Sequence, residues 1–279
     1  MTRQSDKLSK FPKSVTLLGG GNMGRAMLEG WLSGGLPGAQ VGVIDPHPSG
    51  ELSELATAHG FRIVSTAPDL TAPIQCLVIA VKPQFAQAAL ATLDGLLTQD
   101  TIAISLAAGK TLAFLEACCA PAKVVRTIPN TPALVGRGAT GAIAGDGLSP
   151  EQRDLADRLL SAVGLTVWVD KETDIDAITA LSGSGPAYLF HMVEAMAQAG
   201  EALGLNTDMA QLLARATVEG AGELLHRSDR AASALRANVT SPGGTTAAAL
   251  DVLMDQTDGL PPLMTKALKA AKQRSEDLA

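Results

Sequence analysis

Two glycine-rich segments carry residue types whose spacing could do chemistry. In the first, Gly19-Gly20-Gly21-Asn22-Met23-Gly24, glycines fill the three slots of GxGxxG at Gly19, Gly21 and Gly24. The apolar run Val15–Gly19 before it reads as a buried strand, and Met23 to Ser33 after it has a helical pattern. In that context each glycine has a task. Gly19 permits a tight turn, Gly21 lets a pyrophosphate approach the backbone, and Gly24 lets helix and strand pack closely. The helix N-terminus, with Asn22 and Met23 in its first turn, presents N–H groups and a partial positive charge to phosphates. A dinucleotide is the expected ligand. Asp45 stands 21 residues past Gly24, at the end of a second strand-like run, Val41–Asp45. A carboxylate there takes the ribose hydroxyls of NAD. Pro46-His47-Pro48-Ser49 contains no Arg or Lys to hold a 2′-phosphate, so the reading leans to NADH over NADPH. A second reading stays open, in which Asp45 only caps the turn before Pro46.

The second segment is Val239-Thr240-Ser241-Pro242-Gly243-Gly244-Thr245-Thr246, which leads into the helical run Ala247–Met254. Backbone amides there, with Ser and Thr hydroxyls, make a neutral pocket for a small anion such as a carboxylate. An ordinary helix cap on a Pro-Gly turn is the competing reading. Ser182-Gly183-Ser184-Gly185-Pro186-Ala187-Tyr188 starts a long apolar helix, where the glycines serve either a ligand or close packing. Arg126-Thr127-Ile128-Pro129-Asn130-Thr131-Pro132 and Val81-Lys82-Pro83-Gln84 each follow a strand-like run, and ligands collect at the carboxyl ends of strands in doubly wound folds. Lys82 is equally readable as a solvated loop lysine. His191, inside a helical run, reads as a packing residue.

Two resemblances to other motifs fail on single residues. Gly109-Lys110-Thr111 matches the end of a P-loop, but Ile104 stands where its first glycine belongs. A GxSxG elbow centred on Ser184 needs glycines where Ser182 and Pro186 stand.

The elements that must position these segments alternate. Strand-like runs at Val15–Gly19, Val41–Asp45, Phe61–Val64, Cys76–Val81, Thr101–Leu106 and Lys123–Ile128 are separated by helical stretches such as Glu51–His59. This predicts an α/β, mostly parallel, doubly wound sheet of the Rossmann type. A further pair of runs, Ala139–Ala144 and Thr166–Val169, brackets a helix signalled by Ser149, Pro150 and Gln152, with Gly164 expected to end it. After Lys171 the chain turns Ala-, Leu- and Met-rich with no convincing strand. The expected organisation is a flexible tail over 1–12, a dinucleotide-binding domain over 13–171, and an all-α domain over 172–279. Pro186–Leu203 is apolar on most of its circumference, and the helix at Asn206-Thr207-Asp208 has a second apolar face, so this part is expected to complete its core against another copy of itself.

Composition excludes several function classes. The chain has 279 residues, 28 Asp+Glu against 22 Lys+Arg, and 3% aromatics, so neither nucleic acid nor an anionic membrane is an expected partner. No apolar run is long enough for a membrane span, and the first 14 residues lack the apolar stretch of a secretory signal. Three cysteines, Cys76, Cys118 and the adjacent Cys119, make neither a disulfide framework nor a CxxC site. A cytoplasmic location and no bound metal are expected.

Taken in order, Leu18–Gly24, Ala80-Val81-Lys82-Pro83-Gln84, Arg126–Pro132, Leu181–Tyr188 and Asn238–Thr246 resemble the pyrroline-5-carboxylate reductase family of proline biosynthesis, over about Lys13 to the C-terminal helix. The resemblance implies a Rossmann domain, an interlocking helical dimer, and hydride transfer from NADPH or NADH to a cyclic imine carboxylate. By matching position it implies that Ser241, Gly243, Gly244, Thr245 and Thr246, in the segment opened by Val239, hold the substrate carboxylate. Thr246 would face the imine nitrogen as a donor, and Ala80-Val81-Lys82-Pro83 and Asn130 would lie near the nicotinamide. A cyclic imine can bring its own proton from water, which suits the lack of a marked catalytic acid. β-Hydroxyacid dehydrogenases instead carry a lysine four residues past the last glycine of a similar helix start, where Leu189 stands here. The competing readings are a related imine or 2-hydroxyacid reductase, and a dinucleotide-binding dimer without turnover.

Overall fold

The computed structural model describes residues 11–70 and 74–278. Residues 1–10 of the expected tail lie outside the described residues. Phe11, near its end, packs against the core rather than trailing from it.

Eight strands form one sheet in the order β3-β2-β1-β4-β5-β6-β7-β8. They are β1 (Val15–Leu18), β2 (Val41–Ile44), β3 (Arg62–Val64), β4 (Cys76–Ile79), β5 (Ile102–Ser105), β6 (Lys123–Ile128), β7 (Gly138–Ala144) and β8 (Gly164–Trp168). Between them run α1 (Asn22–Ser33), α2 (Gly50–His59), α3 (Ala86–Ala91), α4 (Leu112–Cys119) and α5 (Pro150–Ser161). The strands read as continuous apolar runs because both sheet faces are covered. Leu17, Val43, Val78 and Ile104 enter one core with Met27 and Trp31 of α1, whereas Leu18, Ile44, Leu77 and Ile79 enter the other with Leu90 and Leu115 of α3 and α4. The strand order reverses between β1 and β4, which is the switch point of a doubly wound sheet.

The pairing is parallel except between β6 and β7. The link between those two strands is a short 3₁₀ turn, Thr131–Val135, closed by Gly136 at φ 67°. A parallel return needs a crossover of roughly a dozen residues or more, which this link cannot supply. The capping box on α5 is present, with Ser149 Oγ accepting from the Gln152 N–H at 3.2 Å and Gln152 Oε1 accepting from the Ser149 N–H at 3.0 Å. Gly164 does not end α5 as expected. That helix stops at Ser161, and Gly164 opens β8 at φ 149°, where a Cβ would run into the Gly138 backbone.

The chain divides into two compact units, one up to Gly183 together with Lys272 onward, the other Ser184–Ala271. After β8 the next helix is α6 (Glu172–Ile178), but α6 and the π-helical turn Thr179–Gly183 remain with the first unit. The reason is packing, since Ile175 is buried against Ile128 and Ile143 of the sheet. The second unit holds α7 (Gly185–Ala202), α8 (Thr207–Arg227), α9 (Ala232–Asn238), α10 (Thr245–Leu253) and most of α11 (Leu260–Glu276). Asn206 caps α8, its Oδ1 accepting from the Met209 N–H at 2.9 Å. A seam of small residues joins α7 to α8, where Gly200 faces Ala210. Within its own chain His191 does not pack as expected: it is exposed on α7, with Nδ1 2.9 Å from Glu194 Oε2. Among the described residues no helix is long and apolar enough to cross a membrane.

Candidate functional site

In the first unit the glycine-rich turn joins β1 to α1 at the switch point. Gly19 has φ 96°, a conformation that L side chains rarely adopt, and its N–H donates to the Ile44 carbonyl at 2.9 Å. Gly21 is the N-cap of α1 and carries no side chain to cap it. A Cβ on Gly21 would meet nothing within 4 Å, so open space lies over the backbone there. The first-turn amides at Asn22 and Met23 have no partner within the helix, and no acidic residue stands among them. A Cβ on Gly24 would run into the Gly19 carbonyl oxygen and come within 3.1 Å of Ala80 Cβ. This turn therefore offers a diphosphate free amides, clearance and a helix dipole.

Asp45 follows β2, and both its oxygens meet this turn or the next. Oδ2 accepts from the Gly20 N–H at 2.8 Å, and Oδ1 accepts from the His47 N–H at 2.9 Å. The carboxylate caps the turn before Pro46 and also pins the glycine-rich turn at Gly20. Gly20 was not singled out by motif. It matters all the same, because a Cβ there would collide with Leu52 and lie 3.1 Å from Asp45 Oδ2. Only the run of three consecutive glycines hinted at it.

Two other strand ends approach the same edge of the sheet. Ala80 and Val81 continue β4 and wall the turn: the Ala80 N–H donates to the Leu18 carbonyl at 2.8 Å, and a Cβ on Gly19 would be 2.8 Å from Val81 Cγ1. Lys82 is exposed and Pro83 opens a 3₁₀ turn, Pro83–Phe85. Asn130, beyond β6, is 8% exposed, and its side chain bonds within the protein. Nδ2 donates to the Ser182 carbonyl at 3.1 Å and to Ser182 Oγ at 3.2 Å, while Oδ1 accepts from the Ala139 N–H at 2.8 Å. No motif signalled these contacts, since the partners lie 52 and 9 residues away in sequence.

In the second unit, Ser241–Gly244 form a turn closed by the Gly244 N–H donating to the Ser241 carbonyl at 3.1 Å. Gly243 has φ 68° and Gly244 is the N-cap of α10. As at α1, the cap is a glycine and no side chain bonds the first turn, so the amides of Thr245, Thr246 and Ala247 open the helix without a partner inside it. Ser49, Thr111, Ser149 and Asn206 cap α2, α4, α5 and α8, whereas α3, α6, α7 and α9 also begin without a side-chain cap. What α10 shares with α1 alone among these helices is a glycine at the N-cap. Val239 and Ser241 are exposed, and the Thr246 side chain is half-buried at the first turn.

Among the described residues no three His, Cys, Asp or Glu side chains gather as a metal site. Burial pushes the Cys76 and Cys119 thiols up to about 12, so neither supplies a thiolate at neutral pH.

Residues 172–278 match the family model described as pyrroline-5-carboxylate reductase dimerisation, and residues 14–109 match one described as NADP oxidoreductase coenzyme F420-dependent. A pyrroline-5-carboxylate reductase from Pseudomonas aeruginosa is 40% identical over 266 residues, covering 95% of this chain and 96% of the relative. The solved structure of a pyrroline-5-carboxylate reductase from Coxiella burnetii superposes with a TM-score of 0.88 at 36% identity, covering 96% of this chain and 99% of the other. The Plasmodium falciparum pyrroline carboxylate reductase with NADP bound gives a TM-score of 0.77 at 26% identity, over 95% and 97% of the two chains. With a relative this similar along nearly its whole length, the chain belongs to the pyrroline-5-carboxylate reductase family.

Proposed function

We propose that this protein reduces 1-pyrroline-5-carboxylate to L-proline in the cytoplasm, using NADH or NADPH. The observation that carries the reading is the pair of glycine-capped helix N-termini, α1 in one unit and α10 in the other. One suits a diphosphate and the other a small carboxylate. The nicotinamide cofactor supplies a hydride to the C=N carbon, and the imine nitrogen takes a proton.

The residues present fit that cofactor. Asn22 and Met23 amides would take the pyrophosphate over Gly21. Asp45 would take the adenosine ribose and repel a 2′-phosphate, which leans the preference to NADH. Ala80, Val81, Lys82 and Pro83 would border the nicotinamide end. In the second unit, the amides and hydroxyls of Ser241, Gly243, Gly244, Thr245 and Thr246 would grip the substrate carboxylate without a counter-charge, with Val239 bordering the ring. Thr246 Oγ1 would hydrogen-bond the imine nitrogen. Because a cyclic imine is protonated from water, the enzyme needs no strong acid of its own, and Leu189 leaves no base for an alcohol. Rate then comes from holding the two reactants in register.

The direct test adds pyrroline-5-carboxylate to purified protein with either dinucleotide, following reduced-cofactor absorbance and proline by chromatography. Proline formed in step with cofactor oxidation is expected; cofactor binding without turnover would reject the reaction. For Thr246 the variant is Thr246→Ala. A kcat/KM within a factor of about two of the parent, only ~0.4 kcal/mol of barrier, would remove the residue from the chemistry.

A further inference from the structure

Arg126 and Asn130 stand four residues apart along and just past β6, and each holds one end of the same segment. The Arg126 guanidinium pairs with Glu172, the first residue of α6, and the same Glu172 oxygen accepts from the Leu112 N–H at 2.7 Å. Asn130 holds the other end through the Ser182 carbonyl and hydroxyl. Between them, Asp176 Oδ1 accepts from Ser275 Oγ at 2.7 Å, near the end of α11. The chain leaves the first unit after Gly183 and re-enters it at Lys272. Each passage therefore lies within a few residues of a bond to the segment 172–183. The segment ends in a π-helical turn, Thr179–Gly183, a rare wide turn that recurs at functional sites.

An asparagine side chain has two N–H donors and one carbonyl oxygen. In Asn130 they make three bonds, all to protein, in a site nine-tenths buried. We propose that Asn130 is a positioning residue, which fixes the π-helical turn and so the point at which the chain leaves the dinucleotide-binding unit, and that its side chain does not touch the dinucleotide. This rests on the proposed reaction, in which one unit grips the cofactor and the other the acid. Such chemistry is sensitive to registration, since a displacement of about 1 Å can cost on the order of 10²-fold in rate.

The test uses Asn130→Asp in the full-length protein. The variant keeps the shape and an acceptor for the Ala139 N–H but removes both donations to Ser182. A kcat lowered roughly 10- to 100-fold is expected, with KM and Kd for NADH within about twofold of the parent. Amides of residues 179–187 should exchange hydrogen faster. Ser182→Ala, which loses one of the two bonds, should show the same pattern with a smaller loss of kcat, and it decides the matter should the first variant not fold. A parent-like kcat overturns the proposal, as does a loss that appears as a raised Kd for NADH with kcat retained. Exchange and Kd need no turnover. Were the parent inactive on pyrroline-5-carboxylate, the reaction would fall, while unchanged exchange, or a raised Kd, would separately sink the anchoring role and faster exchange at unchanged Kd would sustain it.

Discussion

Gly21 and Gly24 are three residues apart on one turn, yet their surroundings predict different outcomes for the same substitution. A Cβ on Gly21 points into open space, so Gly21→Ala should fold with the parent's Tm and lose only affinity for the dinucleotide. A Cβ on Gly24 meets a backbone oxygen that cannot move aside cheaply, so Gly24→Ala should lose both affinity and about 1–3 kcal/mol of stability. Thermal unfolding beside a dinucleotide titration separates the two, and parent-like affinity in Gly21→Ala would place the diphosphate elsewhere. Asp45 raises a similar question of two roles. Asp45→Ser should raise the ratio of kcat/KM for NADPH over NADH by removing a charge that repels the 2′-phosphate. It should also weaken NADH, because the Gly20 amide loses its acceptor. An unchanged ratio in steady-state kinetics with both cofactors would leave Asp45 only its capping role.

Elements announced themselves in the sequence wherever one local signal decided them. β1, β4 and β5 were legible because strands buried on both faces must be apolar throughout, and α5 because Ser149, Pro150 and Gln152 form its first turn. The direction of β7, the docking of α6 and the holding of Asn130 were not legible. Each depends on partners that only folding brings together, such as Arg126 with Glu172 or Asp176 with Ser275, 46 and 99 residues apart. The glycine start of α10 was visible as a motif, and its N-cap position allows a test. Gly244→Asp would put a carboxylate at the N-cap, where it can bond the first-turn amides and repel an incoming acid. Its Cβ would meet Ser241 Oγ at 2.5 Å, so that hydroxyl must move and some loss of Tm is expected. KM for pyrroline-5-carboxylate is expected to rise about tenfold or more. A parent-like KM would show that the substrate carboxylate does not use this helix end. Ser149→Ala is the contrasting case: loss of about 1 kcal/mol of stability with kinetic constants retained, because that cap serves only its helix.

At the scale of the molecule the two units differ in what they bury. The first has sheet and helices enclosing Trp31, Met27, Leu52 and Leu115. In the second, the buried hydrophobic side chains are Ala197, Ala210 and Ala214, and none is larger than alanine. Its large apolar groups face outward, with Phe190 65%, Leu212 68% and Val252 72% exposed. Burying a leucine or phenylalanine contributes roughly 1.5–3 kcal/mol, so a helical unit that leaves such side chains in water forgoes the main term that could stabilise it. A hydrophobic surface this extensive on α7, α8 and α10 needs a cover, and the match of residues 172–278 to a dimerisation model points to a second copy of the same unit. The long apolar helix that the sequence marked as buried on several sides is then buried by its partner rather than by its own chain. Sedimentation at micromolar concentration should therefore show a dimer or a larger even assembly. The double variant Phe190→Glu with Leu212→Glu should shift it toward monomer and lower the unfolding temperature of the helical unit, with the dinucleotide turn in the first unit still binding NADH. A parent protein that sediments as a monomer, or a double variant that assembles as the parent does, would mean that these faces are covered by something other than a second copy.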